Sequence, residues 1–164
     1  MHTPVPMRRR DRALPADETL ALLQAGEYGI LATASAAGLP LATPLSYVLL
    51  DGALYFHCAK TGQKLDNLAA QPAVCFCVVG ATRPVYDDNF TTLYESVVVH
   101  GTAALVQDAT EKYRALAALC QKYLPAHMHH AEADIAGSFS VTQVVRIAPE
   151  EITGKAKRPS THTT

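Results

Sequence analysis

The chain of 164 residues has no Gly-Xaa-Gly-Xaa-Xaa-Gly fingerprint, no Cys-Xaa-Xaa-Cys pair, no internal repeat and no low-complexity tract. Each absence excludes something. Without the glycine fingerprint there is no reason to expect a Rossmann dinucleotide site. Its cysteines, Cys58, Cys75, Cys77 and Cys120, match no zinc spacing, and reduced thiols in a cytoplasmic setting follow as the expectation. No apolar run approaches the roughly 18–20 residues that a spanning helix needs, so no membrane partner is expected. The arginines at 8–12 lack a following apolar segment, which argues against a signal peptide; Met7, just before them, reads as an alternative start. A net charge of −1 provides no global field for nucleic acid. What is present is 49% hydrophobic and 18% charged residues, the balance of one compact domain. Residues 1–12 read as an N-terminal arm and 156–164 as a C-terminal tail, both expected to be flexible.

Turn and cap residues divide the chain. Pro15 to Gly26 reads as a helix capped by Asp17 and stopped by a left-handed Gly26, with Leu20, Leu22 and Leu23 as its apolar stripe. Strands are expected at 28–35, at 41–50 and at 53–58, the last two joined by a type I′ turn at Asp51-Gly52. A helix over 64–70 ends before Pro72. The apolar run 73–79 predicts a strand buried on both faces, with Cys75 and Cys77 on one side as core residues. Residues 80–90 read as a loop and 91–106 as a long strand with a bulge at Gly101. Asp108 caps a helix to about Tyr123, with Leu116, Leu119 and Cys120 on one side. Residues 125–137 look irregular, and closing strands are expected at 141–147 and 151–154. Many antiparallel neighbours with few crossovers favour a mainly β protein with flanking helices, a closed or split barrel.

The segment Tyr55-Phe-His-Cys-Ala-Lys-Thr-Gly-Gln-Lys-Leu-Asp-Asn-Leu68 carries the chemistry. It reads as a strand ending at His57, a polar loop, and a helix whose first turn holds Lys64. A helix start offers unpaired N–H groups and a positive dipole end, so an anionic ligand is expected there.

Seven motifs occur in order: Met7-Arg-Arg-Arg-Asp-Arg12, Tyr28-Gly-Ile-Leu-Ala-Thr33, Pro44-Leu-Ser-Tyr47, Asp51-Gly-Ala-Leu-Tyr-Phe-His57, Gly62-Gln-Lys-Leu-Asp-Asn-Leu68, Thr91-Thr-Leu-Tyr-Glu-Ser96 and Ile152-Thr-Gly-Lys155. Together they resemble the pyridoxamine 5′-phosphate oxidase-related flavoproteins, in the branch that includes the 5-nitroimidazole reductases. The resemblance implies an FMN-binding split β-barrel of six to seven antiparallel strands with three to four helices, and a homodimer with FMN at its interface. It implies that Thr43, Pro44, Leu45 and Ser46 meet the flavin ring. His57, Lys64 and Asn67 would lie about the phosphate or ring, and Tyr94 and Ser96 would complete the site from either chain. The implied activity is reduction of a nitroaromatic or other small electrophile, fed by an unidentified electron donor, with His57 and Tyr47 as the groups for proton donation or substrate contact. FAD, F420 and haem are the less favoured cofactors. A flavin- or haem-holding carrier without turnover is the rival from another class, and true pyridoxamine phosphate oxidase activity is the rival enzyme.

Plainer readings stand beside these. Lys64 and Asn67 also fit a solvated helix face, and His57 a hydrogen-bonded structural residue. Arg83 fits either a substrate contact or a solvent-facing position. His127, His129, His130 and Glu132 cluster without a fixed ligand spacing, and no metal site is expected from them.

Overall fold

A computed structural model describes residues 6–86 and 89–159. Its strands are β1 (Gly29–Ala34), β2 (Pro40–Leu45), β3 (Val48–Leu50), β4 (Ala53–Ala59), β5 (Ala73–Tyr86), β6 (Phe90–Leu105) and β7 (Thr142–Lys157). The helices are α1 (Ala16–Ala25), α2 (Gln63–Ala70), α3 (Ala109–Tyr123) and α4 (Met128–Ser138), with 3-10 turns at Arg10–Arg12 and Pro125–His127. All seven strands join one antiparallel sheet in the order β2-β1-β5-β6-β7-β4-β3. β2 and β3 follow each other in the chain, separated only by Ser46 and Tyr47, yet stand at opposite ends of that order. Only a sheet curled until its edges approach satisfies both facts. The fold is the expected split barrel.

Strand alternation decides what fills it. Leu31, Leu54, Phe56, Phe76, Val78, Val97, Val99, Val145 and Ile147 point inward and are fully buried. Tyr47 joins them, its ring edge-on to Phe76 with centroids 4.9 Å apart. α3 and α4 cover the opposite face of β3, β4 and β7, packing Leu116, Leu119 and Ile135 on Tyr55 and Val144. Asp108 caps α3 as expected: its carboxylate accepts the Glu111 N–H at 2.7 Å. Such a cap stabilises a helix by about 1 kcal/mol.

Several expectations are corrected. Residues 41–50 are two strands, because the chain crosses the slit of the barrel at Ser46-Tyr47. There the Tyr123 hydroxyl accepts the Tyr47 N–H at 2.9 Å and lies 2.8 and 2.9 Å from the carbonyls of Glu27 and Tyr47. Asp17 lies inside α1; Pro15 holds the N-cap position with no side-chain bond. Gly26 has an ordinary φ of −56°. Glycine is needed there for closeness, since a Cβ would fall 2.4 Å from Val78 Cγ1 and 2.6 Å from the Tyr47 hydroxyl. The stretch 80–90 extends the β5–β6 hairpin through Tyr86 and Phe90; its strand pattern was hidden because little of it is buried. Residues 87 and 88 of that stretch lie outside the described residues. Residues 128–138 form α4, anchored by Ala131 and Ile135 one helical turn apart.

The two closing strands are one. A register shift between His100 and Gly101 absorbs the residue near Pro149, and a Cβ on Gly101 would fall 2.3 Å from the Ala148 carbonyl. The strand at 73–79 is buried on one face only. Cys75 and Cys77 share a side, as expected, but it is the half-exposed outer face rather than the core. The tail expected from 156 is ordered as far as the described residues reach, with β7 running to Lys157. The arm docks on it: Ala13 bridges Lys155 and the Leu14 N–H donates to the Gly154 carbonyl at 3.0 Å.

Candidate functional site

The slit of the barrel opens a cavity of about 200 Å³. One wall is the edge strand β2, through Leu41 and Thr43. The other is the end of β4, Cys58 and Ala59, followed by Thr61 to Leu65. An edge strand leaves a row of backbone N–H and C=O groups unpaired by the sheet, available to a planar polar ligand. Opposite them, Gly62 turns the chain into α2 at φ 134°, a conformation that side-chain residues rarely adopt. The Gly62 carbonyl accepts the N–H groups of Leu65 and Asp66 at 2.8 and 3.2 Å. The N–H groups of Gln63 and Lys64 precede the first N–H bonded within the helix and remain for a ligand. The Lys64 ammonium adds a full positive charge at the same end.

Two groups near the pocket have shifted acidities. Burial raises the pKa of the Cys58 thiol, and the Lys64 ammonium offsets this only in part, so Cys58 is a thiol at neutral pH. His57 occupies the next position on β4 and therefore points to the opposite side of the sheet, off the pocket lining. Its ring is exposed, yet crowding by the surrounding protein removes part of its hydration. That desolvation, and then Lys64, lowers its pKa. Among the described residues, no carboxylate or imidazole lines the pocket. The lining can bind and orient a ligand, but it offers little acid–base chemistry of its own.

The expected site residues separate into three places. Thr43 and Lys64 meet in the pocket, with Pro44 and Leu45 continuing along β2 beyond it and Ser46 just past the strand's end. Pro44 and Ser46 are exposed, and Leu45 packs partly on the core. Asn67 is buried, and its amide donates to the Thr33 hydroxyl at 2.9 Å, which clips α2 to β1 rather than facing a ligand. Tyr47 is a correction: it is fully buried and its hydroxyl donates to the Leu23 carbonyl. That desolvation raises its phenol pKa well above the ordinary value. A sealed, less acidic phenol is placed neither to touch substrate nor to give up a proton. Tyr94 and Ser96 lie on β6, outside this pocket. Sequence reasoning passed over Leu41, Cys58 and Gln63. The stripe Leu54, Phe56, Cys58 was the available signal, since it puts Cys58 rather than His57 on the inner face.

Among the described residues no group of three or more histidine, cysteine or acidic side chains is arranged to hold a metal ion. His127, His129 and His130 sit exposed where α4 begins. No helix among the described residues is long and apolar enough to cross a membrane.

A curled seven-stranded antiparallel sheet whose slit opens beside the start of α2 defines a class, the split barrels. The chain belongs to the pyridoxamine 5′-phosphate oxidase family, whose sequence model matches residues 15–156. No curated protein sequence matches it. Solved structures share the fold at low identity. A conserved hypothetical protein from Mycobacterium tuberculosis superposes with a TM-score of 0.81 at 20% identity, over 97% of this chain and 98% of that one. A candidate 5-nitroimidazole antibiotic resistance protein from Bacteroides thetaiotaomicron gives 0.74 at 17%, over 88% and 86%. An FAD- and haem-binding protein from Mycobacterium smegmatis gives 0.75 at 18%, over 90% and 74%. At these identities the likeness establishes the fold.

Proposed function

We propose that the chain is an FMN-dependent oxidoreductase that reduces nitroaromatic or other small electrophilic substrates in the cytoplasm. The observation that carries this reading is the pocket itself: an edge strand for the polar rim of a flavin ring, facing a helix start and Lys64 for its phosphate. When bound, the flavin supplies the hydride or single electrons, a task for which the lining has no group of its own. Thr43 and the neighbouring β2 backbone would orient the ring, and Lys64 with the Gln63 N–H would hold the phosphate.

Size supports a second chain. A cavity of about 200 Å³ falls below the roughly 300–1,000 Å³ of sites that enclose a whole ligand. One chain therefore covers only part of a flavin, and a homodimer would supply the remaining wall. The half-exposed outer face bearing Ile30, Cys75, Cys77 and Val98 is the surface suited to that contact. Any role of Tyr94 and Ser96 beside a flavin would then be exerted across the interface. Relatives of the same fold whose names include FAD or haem make the chromophore the first thing to determine. Mass analysis of the released chromophore, followed by nicotinamide oxidation with and without a nitroaromatic, tests the proposal. FMN with nitro-dependent turnover supports it; haem, or flavin without turnover, would replace it with a carrier.

A further inference from the structure

The β5–β6 hairpin outruns the rest of the sheet. β7 pairs with β6 only as far as Tyr94, and β1 pairs with β5 only from Cys75 to Cys77. Beyond that level, among the described residues, Arg83 to Tyr86 pair with Phe90 to Leu93 and with no other strand. A ribbon of two strands standing alone in water is marginally stable at best. The tip does not suit water either. Phe90 is 91% and Tyr86 70% exposed, and their rings meet edge to face with centroids 5.2 Å apart. Two aromatic rings held together at the end of a projecting ribbon form a surface shaped for contact.

Register decides which way that surface faces. Along β6, Phe90, Thr92, Tyr94, Ser96 and Val98 alternate onto one side, and Tyr86, Val79 and Cys77 stand opposite Phe90, Ser96 and Val98 on β5. The stripe therefore runs from the aromatic tip into the half-exposed face of Cys77 and Val98, the surface suited to a second copy. Register also separates the tip from the pocket of its own chain. Thr43 is level with Leu31, Phe76 and Val99 on successive strands. From Val99 to Phe90, β6 runs about 30 Å.

The slit pocket lacks what the ribbon carries. Its β2 edge offers backbone groups to the rim of a planar ring, but among the described residues no aromatic side chain lines it. The faces of a flat ligand held there are left without a stacking neighbour, and aromatic rings supply that contact in offset or edge-on geometry. A contact between two identical chains about a two-fold axis is reciprocal, so each ribbon can serve the other chain's pocket. Resting on the flavin reading of that pocket, we propose that the ribbon tip of one copy closes the slit pocket of a second copy, with Tyr86 and Phe90 packing on the flat ligand.

A mixed dimer tests this. A chain with Lys64→Ala and an intact ribbon is co-expressed with a Tyr86→Ser/Phe90→Ser chain that keeps Lys64, and the mixed dimer is purified through two different tags. The Tyr86→Ser/Phe90→Ser homodimer should bind FMN roughly tenfold or more weakly than the unsubstituted protein. The mixed dimer should regain one tight site, built from the Lys64 of one chain and the ribbon of the other. Phe90→Ser alone should shift FMN affinity in the same direction should the double variant fail to fold. Three results would overturn the proposal: unchanged FMN affinity in the ribbon variants, a mixed dimer with no tight site, or an unsubstituted chain that is monomeric in solution. If the unsubstituted chain binds no FMN, the flavin reading fails by itself, and sedimentation then decides the ribbon contact. A dimer that dissociates at higher concentration without the two rings supports it; a dimer indifferent to them overturns it.

Discussion

Replacing Tyr123 by Phe removes one oxygen from the point where the chain crosses the barrel slit. That oxygen accepts the Tyr47 N–H at 2.9 Å and has the Glu27 and Tyr47 carbonyls at 2.8 and 2.9 Å. Its single proton serves one carbonyl at a time, so the hydroxyl is worth two hydrogen bonds at any instant. A net bond contributes about 0.5–1.5 kcal/mol, and stranding a buried donor costs about 1–3 kcal/mol. Because Tyr47 is fully buried, its amide is poorly placed to recruit water, and a loss of about 2–3 kcal/mol is expected. For a chain of this size each kcal/mol moves the melting temperature by about 2–4 °C, so a fall of about 4–12 °C should follow. Calorimetry and urea unfolding would read it, with an unchanged m-value showing that the native fold persists. A change below about 0.5 kcal/mol, the range of an ordinary surface substitution, would refute the claim that Tyr123 pins the crossing.

Other outcomes follow from the same geometry. Gly29→Ala would place a Cβ 2.2 Å from the Phe76 ring, so a loss of about 1–3 kcal/mol in urea unfolding is expected. The Lys122 ammonium is buried without a hydrogen-bond partner, 3.9 Å from the Tyr47 ring centroid, and desolvation lowers its pKa below 10.5. The unfolded chain then binds more protons between the two pKa values, so stability rises with pH through that window. Lys122→Met should remove this rise, and an unchanged slope in unfolding against pH would contradict it. His57 also has a lowered pKa. Its contribution to stability should be intact above about 6.5 and be lost as pH falls toward the folded-state value; His57→Gln should flatten that loss in urea midpoints measured across pH 4–8.

The parts of the molecule readable in the sequence are those fixed by neighbouring residues. Asp51-Gly52 makes its two-residue turn, with φ of 50° and 78°, and Asp108 caps its helix. Gly101 sits at the irregularity expected there, although the extra residue, Glu150, belongs to β7, and the approaching Ala148 carbonyl leaves no room for a Cβ. The misreadings come from contacts made elsewhere in the chain. Nothing local at Ser46-Tyr47 shows that the strand changes edges there, since Tyr123 fixes the crossing from 76 residues away. α4 has a weak apolar stripe, and only the packing of Ala131 and Ile135 makes it a helix. At the site, the pocket-lining segment was legible because a helix start and a lysine lie side by side. The direction of each side chain was not. Asn67 turns inward to Thr33, Tyr47 closes on Leu23, and Cys58 takes the pocket face that was expected for His57.

The central claim is that the slit pocket holds FMN through Lys64. Fluorescence titration of FMN into the chromophore-free chain, compared with Lys64→Ala, tests it directly. A charge-assisted contact of about 1.5–3 kcal/mol predicts saturable binding that weakens roughly 10- to 150-fold in the variant. Equal affinity in the two proteins, or no saturable binding of FMN by the unsubstituted chain, would contradict the account.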